Sequence, residues 1–191
     1  DAALVLAACN EIALQSVAEQ CRALGAQALV VRTDVSDAGQ CRALIGTAAS
    51  HFGGIHALVN NAGMSAQALL EEVRTEDLGW YEELMRINLW GSVWCTHAAL
   101  PYLKASRGHI VAVSSLAGLV GVPGRTAYCA TKFAMTGFFE ALRLELKGAG
   151  GDAKDARGEF EIPVNPEWQR HDLHISAQIA APDSASKPAG K

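Results

Sequence analysis

The sequence lacks the features of a disulfide-rich, metal-binding or membrane-spanning chain. Its five cysteines are odd in number, widely spaced and without a Cys-x-x-Cys pair, which argues against a disulfide framework and a zinc site. No apolar run approaches the roughly 18 residues of a membrane span, and no basic-then-apolar leader is present, although the chain begins with DAALVLAACN rather than Met. We therefore predict no metal site, no membrane span, and reduced cysteines in the cytoplasm.

The chain also lacks a basic surface of the kind that binds nucleic acid. Its 16 Lys and Arg are outnumbered by 20 Asp and Glu, which gives a formal net charge of -4. The basic residues are scattered rather than clustered, so no electrostatic attraction to a phosphate backbone is expected. We predict no nucleic-acid partner.

Hydrophobic residues make up 50% of the chain and form two alternating kinds of segment. Short runs rich in Val and Leu are typical of strands buried on both faces, and the longer stretches between them have helical spacing. The predicted strands are 2–8, 28–32, 56–60 and 109–115, and the predicted helices are about 11–24, 37–52, 75–104 and 127–147. This alternation predicts an α/β fold with a doubly wound parallel sheet, which binds ligands beyond the carboxyl ends of its strands.

The composition changes after about residue 148. Four of the six prolines fall in this last part among Gly, Asp and Ser, and the alternation of strands and helices stops. We predict one domain over residues 1–147, followed by an irregular or disordered tail over residues 148–191.

Cap residues predict the helix ends. Ser36 with Asp37, and Thr75 with Asp77, supply side-chain oxygens ahead of the second and third helices, and Gly53 is a plausible stop.

Small and polar residues follow two of the predicted strands. Asn61, Ala62 and Gly63 follow the third strand, where they form either an ordinary turn or a place at which a flat ligand approaches the backbone. Asp34, in TDVSD, follows the second strand and either caps the next helix or accepts a hydrogen bond from a ligand. The sequence leaves both alternatives open.

Tyr128 and Lys132 lie four residues apart in AYCATK, so a helix brings the phenol and the ammonium to one face. The pair is either an ordinary surface contact or a proton-transfer device. A hydroxyl from Ser114 or Ser115, at the end of the fourth strand, can converge on the same crevice. Asn88, in MRINLWG, is predicted within a helix, where Asn is mildly unfavourable and needs a local reason or is merely tolerated.

Together these segments resemble the short-chain dehydrogenase/reductase family. The matching segments are, in order, TDVSD, NNAG, INLWG, SS followed by Gly, and YCATK, over roughly residues 1–147. The resemblance implies a Rossmann-like NAD(P)-dependent oxidoreductase that transfers a hydride between a nicotinamide cofactor and a small-molecule alcohol or ketone. It also implies a homo-oligomer in the full-length form, and the interval to Tyr128 favours Ser115 over Ser114.

The resemblance further implies roles for individual residues. Tyr128 would be the general acid/base, Ser115 would hold the substrate oxygen, and Asn88 would support a water-linked proton path. Lys132 would lower the pKa of the phenol and bind the nicotinamide ribose. A phenol with an ordinary pKa of about 10 is a poor base near neutrality, and an adjacent ammonium favours the phenolate. The implied cofactor-binding residues also include those flanking adenine and lining the ribose side, Asp34, Val35, Asn61, Ala62 and Gly63.

The chain departs from the family pattern at both ends. The glycine-rich turn TGxxxGxG is absent because the sequence begins at what looks like the family's second strand, and the family's next strand does not follow Gly150. We therefore expect a sheet that is incomplete at both ends. The alternative function is a non-catalytic fragment or interaction module that retains the scaffold without a complete cofactor site.

The end of the first predicted strand bears on the choice of cofactor. It reads Ala7, Ala8, Cys9 and Asn10, without the acidic residue that would bond the ribose hydroxyls of NAD and repel a 2′-phosphate. We predict NADP rather than NAD, although the arginine that would favour NADP is missing as well.

Overall fold

The computed structural model describes residues 2–148, in which strands and helices alternate as predicted. The strands are β1 (Ala3–Ala8), β2 (Gln27–Arg32), β3 (Ala57–Asn60) and β4 (His109–Ala112). The α-helices are α1 (Glu11–Ala23), α2 (Ala38–Phe52), α3 (Gly79–Met85), α4 (Gly91–Ser106) and α5 (Thr126–Gly148). The predicted tail lies outside the described residues, apart from Gly148, with which α5 ends.

The helix ends follow local side-chain chemistry at α2 but not at α3. Asp37 Oδ1 accepts a hydrogen bond from Gln40 N at 2.8 Å, and Gly53 ends α2 with a φ of 77°, both as predicted. The predicted cap at Thr75 and Asp77 is wrong, because α3 begins later, at Gly79, without a side-chain cap. Asp77 instead accepts a hydrogen bond from Arg74 Nε at 2.7 Å.

The four strands of residues 2–148 pair in parallel as two separate two-stranded sheets. β1 lies beside β2, with Ala8 opposite Arg32, and β3 lies beside β4, with Asn60 opposite Ala112. Residues of β1 and of β3 line the same cavity, which has a volume of about 990 Å³. The inter-sheet cavity, as we call it, is therefore bordered by strands that pair with another described strand on one side only.

The two larger of three groups of buried apolar side chains in the described residues hold the elements together. The first lies between α2 and α4, with Cys41, Leu44 and Leu103 among its members, and side chains of both sheets pack against it. The second, formed by residues of β4 and α5, is Ala112, Met135, Phe139 and Leu142. Since burying a Leu or Phe side chain contributes about 1.5–3 kcal/mol, this second group fixes α5 against β4.

Residues 2–148 contain neither a helix suited to a membrane nor a metal-binding cluster. None of the helices in residues 2–148 is long and apolar enough to cross a membrane. In the same residues, no three His, Cys, Asp or Glu side chains lie close enough together to hold a metal ion.

Candidate active site

Lys132 is buried near the start of α5, with 4% of its surface exposed. Its Nζ donates a hydrogen bond to the carbonyl oxygen of Val113, just past β4, at 2.8 Å and lies 3.8 Å from Met135 Sδ. Burial lowers the pKa of Lys132 to about 8. Since an ammonium carries three donors, the side chain keeps the capacity to bind a hydroxyl of a ligand.

Tyr128 lies one helical turn before Lys132 and is 8% exposed. Lys132 Nζ is 5.8 Å from the centre of the phenol ring, and the guanidinium carbon of Arg125 is 6.0 Å from it. Burial raises the pKa of Tyr128, while a hydrogen bond with Ser115 and the positive charge of Arg125 act in the opposite direction. The expected effect of Lys132 on this pKa stays a prediction.

Sequence reasoning missed Arg125. Its position three residues before Tyr128, at the boundary of a helix, was a signal that could have found it.

The two serines after β4 have different partners. Ser114 Oγ lies 3.2 Å from Thr136 Oγ1 on α5, whereas the hydroxyl of Ser115 acts on the phenol of Tyr128, whose pKa it lowers. Ser115 also begins a short 3-10 turn, where its Oγ accepts from Ala117 N at 3.2 Å. The structure therefore brings Ser115, and not Ser114, to the phenol.

Asn88 lies in a π-helical turn, Arg86–Trp90, between α3 and α4, and it is fully buried. Its Oδ1 accepts from Met64 N at 2.8 Å, while its Nδ2 donates to Met64 O and to Thr131 Oγ1, both at 2.9 Å. These hydrogen bonds, made with residues far along the sequence, satisfy the Asn side chain within the helix. The side chain ties the segment after β3 to the turn of α5 between Tyr128 and Lys132.

Gly63 brings the backbone after β3 close to these side chains. A Cβ atom at this position would lie 3.2 Å from Asn88 Oδ1 and 3.8 Å from Lys132 Nζ. Because glycine has no side chain, the backbone passes close to Asn88 and Lys132 at this position. The predicted ribose side and the predicted catalytic residues therefore meet at Gly63.

Five of the seven predicted cofactor-binding residues line the inter-sheet cavity, at the carboxyl ends of β2 and β3: Asp34, Val35, Asn61, Ala62 and Gly63. The other two, Tyr128 and Lys132, are not among its lining residues. Asp34 also has a structural role, because its Oδ1 accepts from Ser36 N at 2.8 Å. The alternative that Asp34 shapes the start of the next helix is thus present in the structure. One carboxylate oxygen in that role does not prevent the residue from lining a ligand site.

Arg32 is a cation that sequence reasoning missed at the end of β1. Its Nε donates to the carbonyl oxygen of Cys9 at 3.3 Å. Arg32 belongs to the neighbouring strand, where it pairs with Ala8, so the residues at the end of β1 gave no sign of it. Asn10 is occupied elsewhere, since its Oδ1 accepts from Ala13 N at 3.0 Å and caps α1.

The chain is similar in sequence to known dehydrogenases. A sequence model described as short chain dehydrogenase matches residues 1–150. The chain belongs to the short-chain dehydrogenase family. It is 48% identical over 145 residues to "11-beta-hydroxysteroid dehydrogenase A" of Sesamum indicum, a match that covers 75% of this chain and 41% of that protein. The protein of the same name from Arachis hypogaea is 42% identical over 189 residues, covering 92% of this chain and 54% of the relative.

A solved structure shares the fold of this short-chain dehydrogenase. It is the alcohol dehydrogenase of the archaeon Thermococcus sibiricus complexed with 5-hydroxy-NADP. The two chains are 26% identical, with a TM-score of 0.70, and the match covers 75% of this chain and 60% of that one. The Rossmann-like prediction is confirmed. The chain spans about half the length of the curated relatives that it matches.

Proposed function

We propose that the full-length protein is an NAD(P)-dependent oxidoreductase that interconverts an alcohol and a ketone, with Tyr128 as the general acid/base. The observation that carries this proposal is the buried phenol of Tyr128, which has Lys132 Nζ 5.8 Å and the guanidinium carbon of Arg125 6.0 Å from the centre of its ring. The Ser115 hydroxyl acts on the same phenol and lowers its pKa. A nicotinamide cofactor, when bound, supplies or accepts the hydride. The chain's own residues hold the substrate oxygen and move its proton.

In the reducing direction, Tyr128 donates its phenolic proton to the substrate oxygen while the Ser115 hydroxyl holds that oxygen in place. In the oxidising direction the phenolate accepts the proton. Activity in that direction therefore depends on how readily the phenol of Tyr128 ionises. Lys132 stands where its free donors can bind the ribose hydroxyls beside Gly63. Asn88 holds the Met64 backbone in place, and we retain it as the support for a water-linked proton path.

The proton-transfer role is tested with Tyr128→Phe, which keeps the ring and removes only the proton. Turnover by the full-length protein should fall by at least about a hundredfold, the usual contribution of a general acid/base, while the cofactor still binds. Tyr102→Phe, on an exposed part of α4, is the matched control. Near-parental turnover of the Tyr128→Phe protein across the pH range would make the pair a helix contact only.

We propose NADP as the preferred cofactor. Support comes from the absence of an acidic residue between Ala7 and Asn10 and from the Arg32 guanidinium, which can bind a 2′-phosphate near Cys9. Arg32→Ala should raise the dissociation constant of NADPH by about 10- to 100-fold, the value of a charge-assisted hydrogen bond, and leave that of NADH unchanged. Arg22, which donates to Ala28 O near the other end of β2, provides the control Arg22→Ala. Tighter binding of NADH than of NADPH would overturn the preference.

We propose an apolar substrate, which agrees with the hydroxysteroid dehydrogenase names of the relatives. Leu116, Leu119 and Val120, which follow Ser115 in the chain, are each between 43% and 50% exposed. Turnover of ketones of increasing apolar surface tests this, because an apolar binding surface lowers the KM of the larger ones.

We also propose that the full-length protein is a cytoplasmic homo-oligomer. The five free cysteines suit a reducing compartment, and Trp90, stacked on Trp94 with ring centres 5.9 Å apart, is 49% exposed. Light scattering of the purified protein measures the oligomeric state.

The alternative for the 191-residue chain itself is a non-catalytic fragment or interaction module. The one-sided pairing of β1 and β3 at the inter-sheet cavity favours it. A thermal-shift titration with NADPH on this chain and on the full-length protein separates the two functions, since only a complete cofactor site gives a concentration-dependent rise in melting temperature.

A further inference from the structure

Arg125 lies immediately before α5 and contacts two parts of the site. Its Nη1 donates to Ser65 Oγ, in the segment after β3, at 2.8 Å. Its carbonyl oxygen accepts from Cys129 N at 2.8 Å, which fixes its main chain to the first turn of α5. Held in this way at both ends, the side chain places its guanidinium carbon 6.0 Å from the centre of the Tyr128 ring.

Other groups also face this turn of α5. Ser115 approaches the phenol from the end of β4, and Cys129 and Lys132 lie on α5 itself. From α3, the hydroxyl of Tyr81 lies 2.7 Å from Thr126 Oγ1. Burial raises the pKa of Tyr128, as does Cys129, whereas Ser115 and Arg125 lower it.

The two cations beside the phenol, Lys132 and Arg125, differ in the pH range over which they stay charged. Burial lowers the pKa of Lys132 to about 8, so its ammonium is lost through the mildly alkaline range. A guanidinium stays protonated throughout that range. Above pH 8, the positive charge beside the Tyr128 ring therefore comes increasingly from Arg125.

We propose that Arg125 is a positioning residue whose guanidinium, held beside the ring by Ser65, favours the phenolate of Tyr128. Its effect on turnover rests on the proposed function of Tyr128, but its effect on phenol ionisation is measurable without turnover. The charge acts through Tyr128 and needs no contact with substrate or cofactor.

The experiment titrates the phenolate of the full-length protein by ultraviolet difference absorption. For each variant, the Tyr128 signal is obtained by subtracting the same protein with Tyr128→Phe. Arg125→Gln should raise the pKa of Tyr128 by about half a unit to two units. This is the range for two charges separated by the 6.0 Å between the guanidinium carbon and the ring centre, with a dielectric constant between that of water and that of a protein surface. Arg125→Lys, which restores a cation, should recover most of that change. The limb of the turnover–pH profile that reports phenol ionisation should move by the same amount in the same direction.

Two further variants separate charge from folding. Arg143→Gln removes an arginine of α5 that pairs with Glu140 at 2.6 Å, and it should leave the Tyr128 titration unchanged. Ser65→Ala keeps the arginine and removes its anchor, so it should raise the pKa by less than Arg125→Gln does. If Arg125→Gln is too unstable to titrate, Ser65→Ala decides, and an unchanged titration in that protein overturns the inference.

Several results contradict the role of Arg125. They are an unchanged titration in Arg125→Gln, an equal change in Arg143→Gln, and a failure of Arg125→Lys to recover the change. Failure of the proposed function looks different, because Tyr128→Phe would then keep its turnover while the phenol titration still responded to Arg125.

Discussion

Lys132 is expected to lower the stability of the folded protein at neutral pH. Its pKa is about 8 in the folded protein, against an ordinary value of 10.5. At about 1.4 kcal/mol per pKa unit, burying the charged side chain costs about 3 kcal/mol relative to the unfolded chain. Because the folded pKa is the lower one, this cost is full below pH 8, declines as the pH rises, and is absent above pH 10.5.

The perturbation that reveals this cost is Lys132→Met, which keeps a long apolar side chain and removes the amine. The variant loses the hydrogen bond to the Val113 carbonyl, which costs about 1–3 kcal/mol at any pH. At pH 7 the variant escapes the cost of burying the charge but loses the hydrogen bond. These two effects nearly offset each other or leave the variant more stable by up to about 2 kcal/mol. Above pH 10.5 only the loss remains, so the variant is then the less stable protein.

The assay is urea unfolding of the full-length protein without cofactor, at steps from pH 7 to pH 10.5. The difference in unfolding free energy between variant and parent should change by about 3 kcal/mol across the series. Lys104→Met, at an exposed position on α4, is the matched control and should follow the parent. A constant difference between Lys132→Met and the parent from pH 8 to pH 10.5 would refute the reasoning.

Two further predictions concern the contacts of a glycine and the pairing of the strands. At Gly118, a Cβ would lie 2.7 Å from Ser114 Oγ and 2.9 Å from the Lys132 carbonyl oxygen, so Gly118→Ala should lower the unfolding free energy by about 1–3 kcal/mol. Gly137→Ala, on α5 with nothing within 4 Å, should raise it by about 0.5–1 kcal/mol, and equal effects in urea unfolding would contradict the close contact. The 191-residue chain alone should be poorly soluble or partly unfolded because of its one-sided strands. A sharp calorimetric transition from a monomer would count against this.

The strands and helices were predictable because their signals are local. The apolar run of β1 and the Asp37 cap of α2 depend on residues within one element or one turn. The late start of α3 was not predicted, since the Asp77 carboxylate that was expected to cap it is bound by Arg74 instead. A cap pattern in the sequence does not show that another side chain binds the same carboxylate.

The residues of the candidate site could be named from the sequence, whereas their electrostatic environment could not. Arg32 reaches the end of β1 through strand register, and Arg125 is held beside Tyr128 by Ser65 from a distant part of the chain. The lowered pKa of Lys132 is caused by burial, which depends on the complete packing of α5. The side chain of Asn88 likewise has its partners far along the sequence, at Met64 and Thr131.

The inter-sheet cavity has a consequence for amide hydrogen exchange. Ala2 O accepts a hydrogen bond from Gln27 N, in β2, and Ala8 O accepts one from Thr33 N, just after β2. Alternate residues of a parallel strand face the same neighbour. The amides of Ala3, Val5 and Ala7 therefore face the cavity, while those of Leu4 and Leu6 face β2. We expect the rate of amide exchange to alternate along β1, fast at one residue and slow at the next. If another strand enters the cavity and pairs with β1, the amides that exchange fast become slow. The fraction of protected amides then measures the fraction of molecules in which the two sheets have joined.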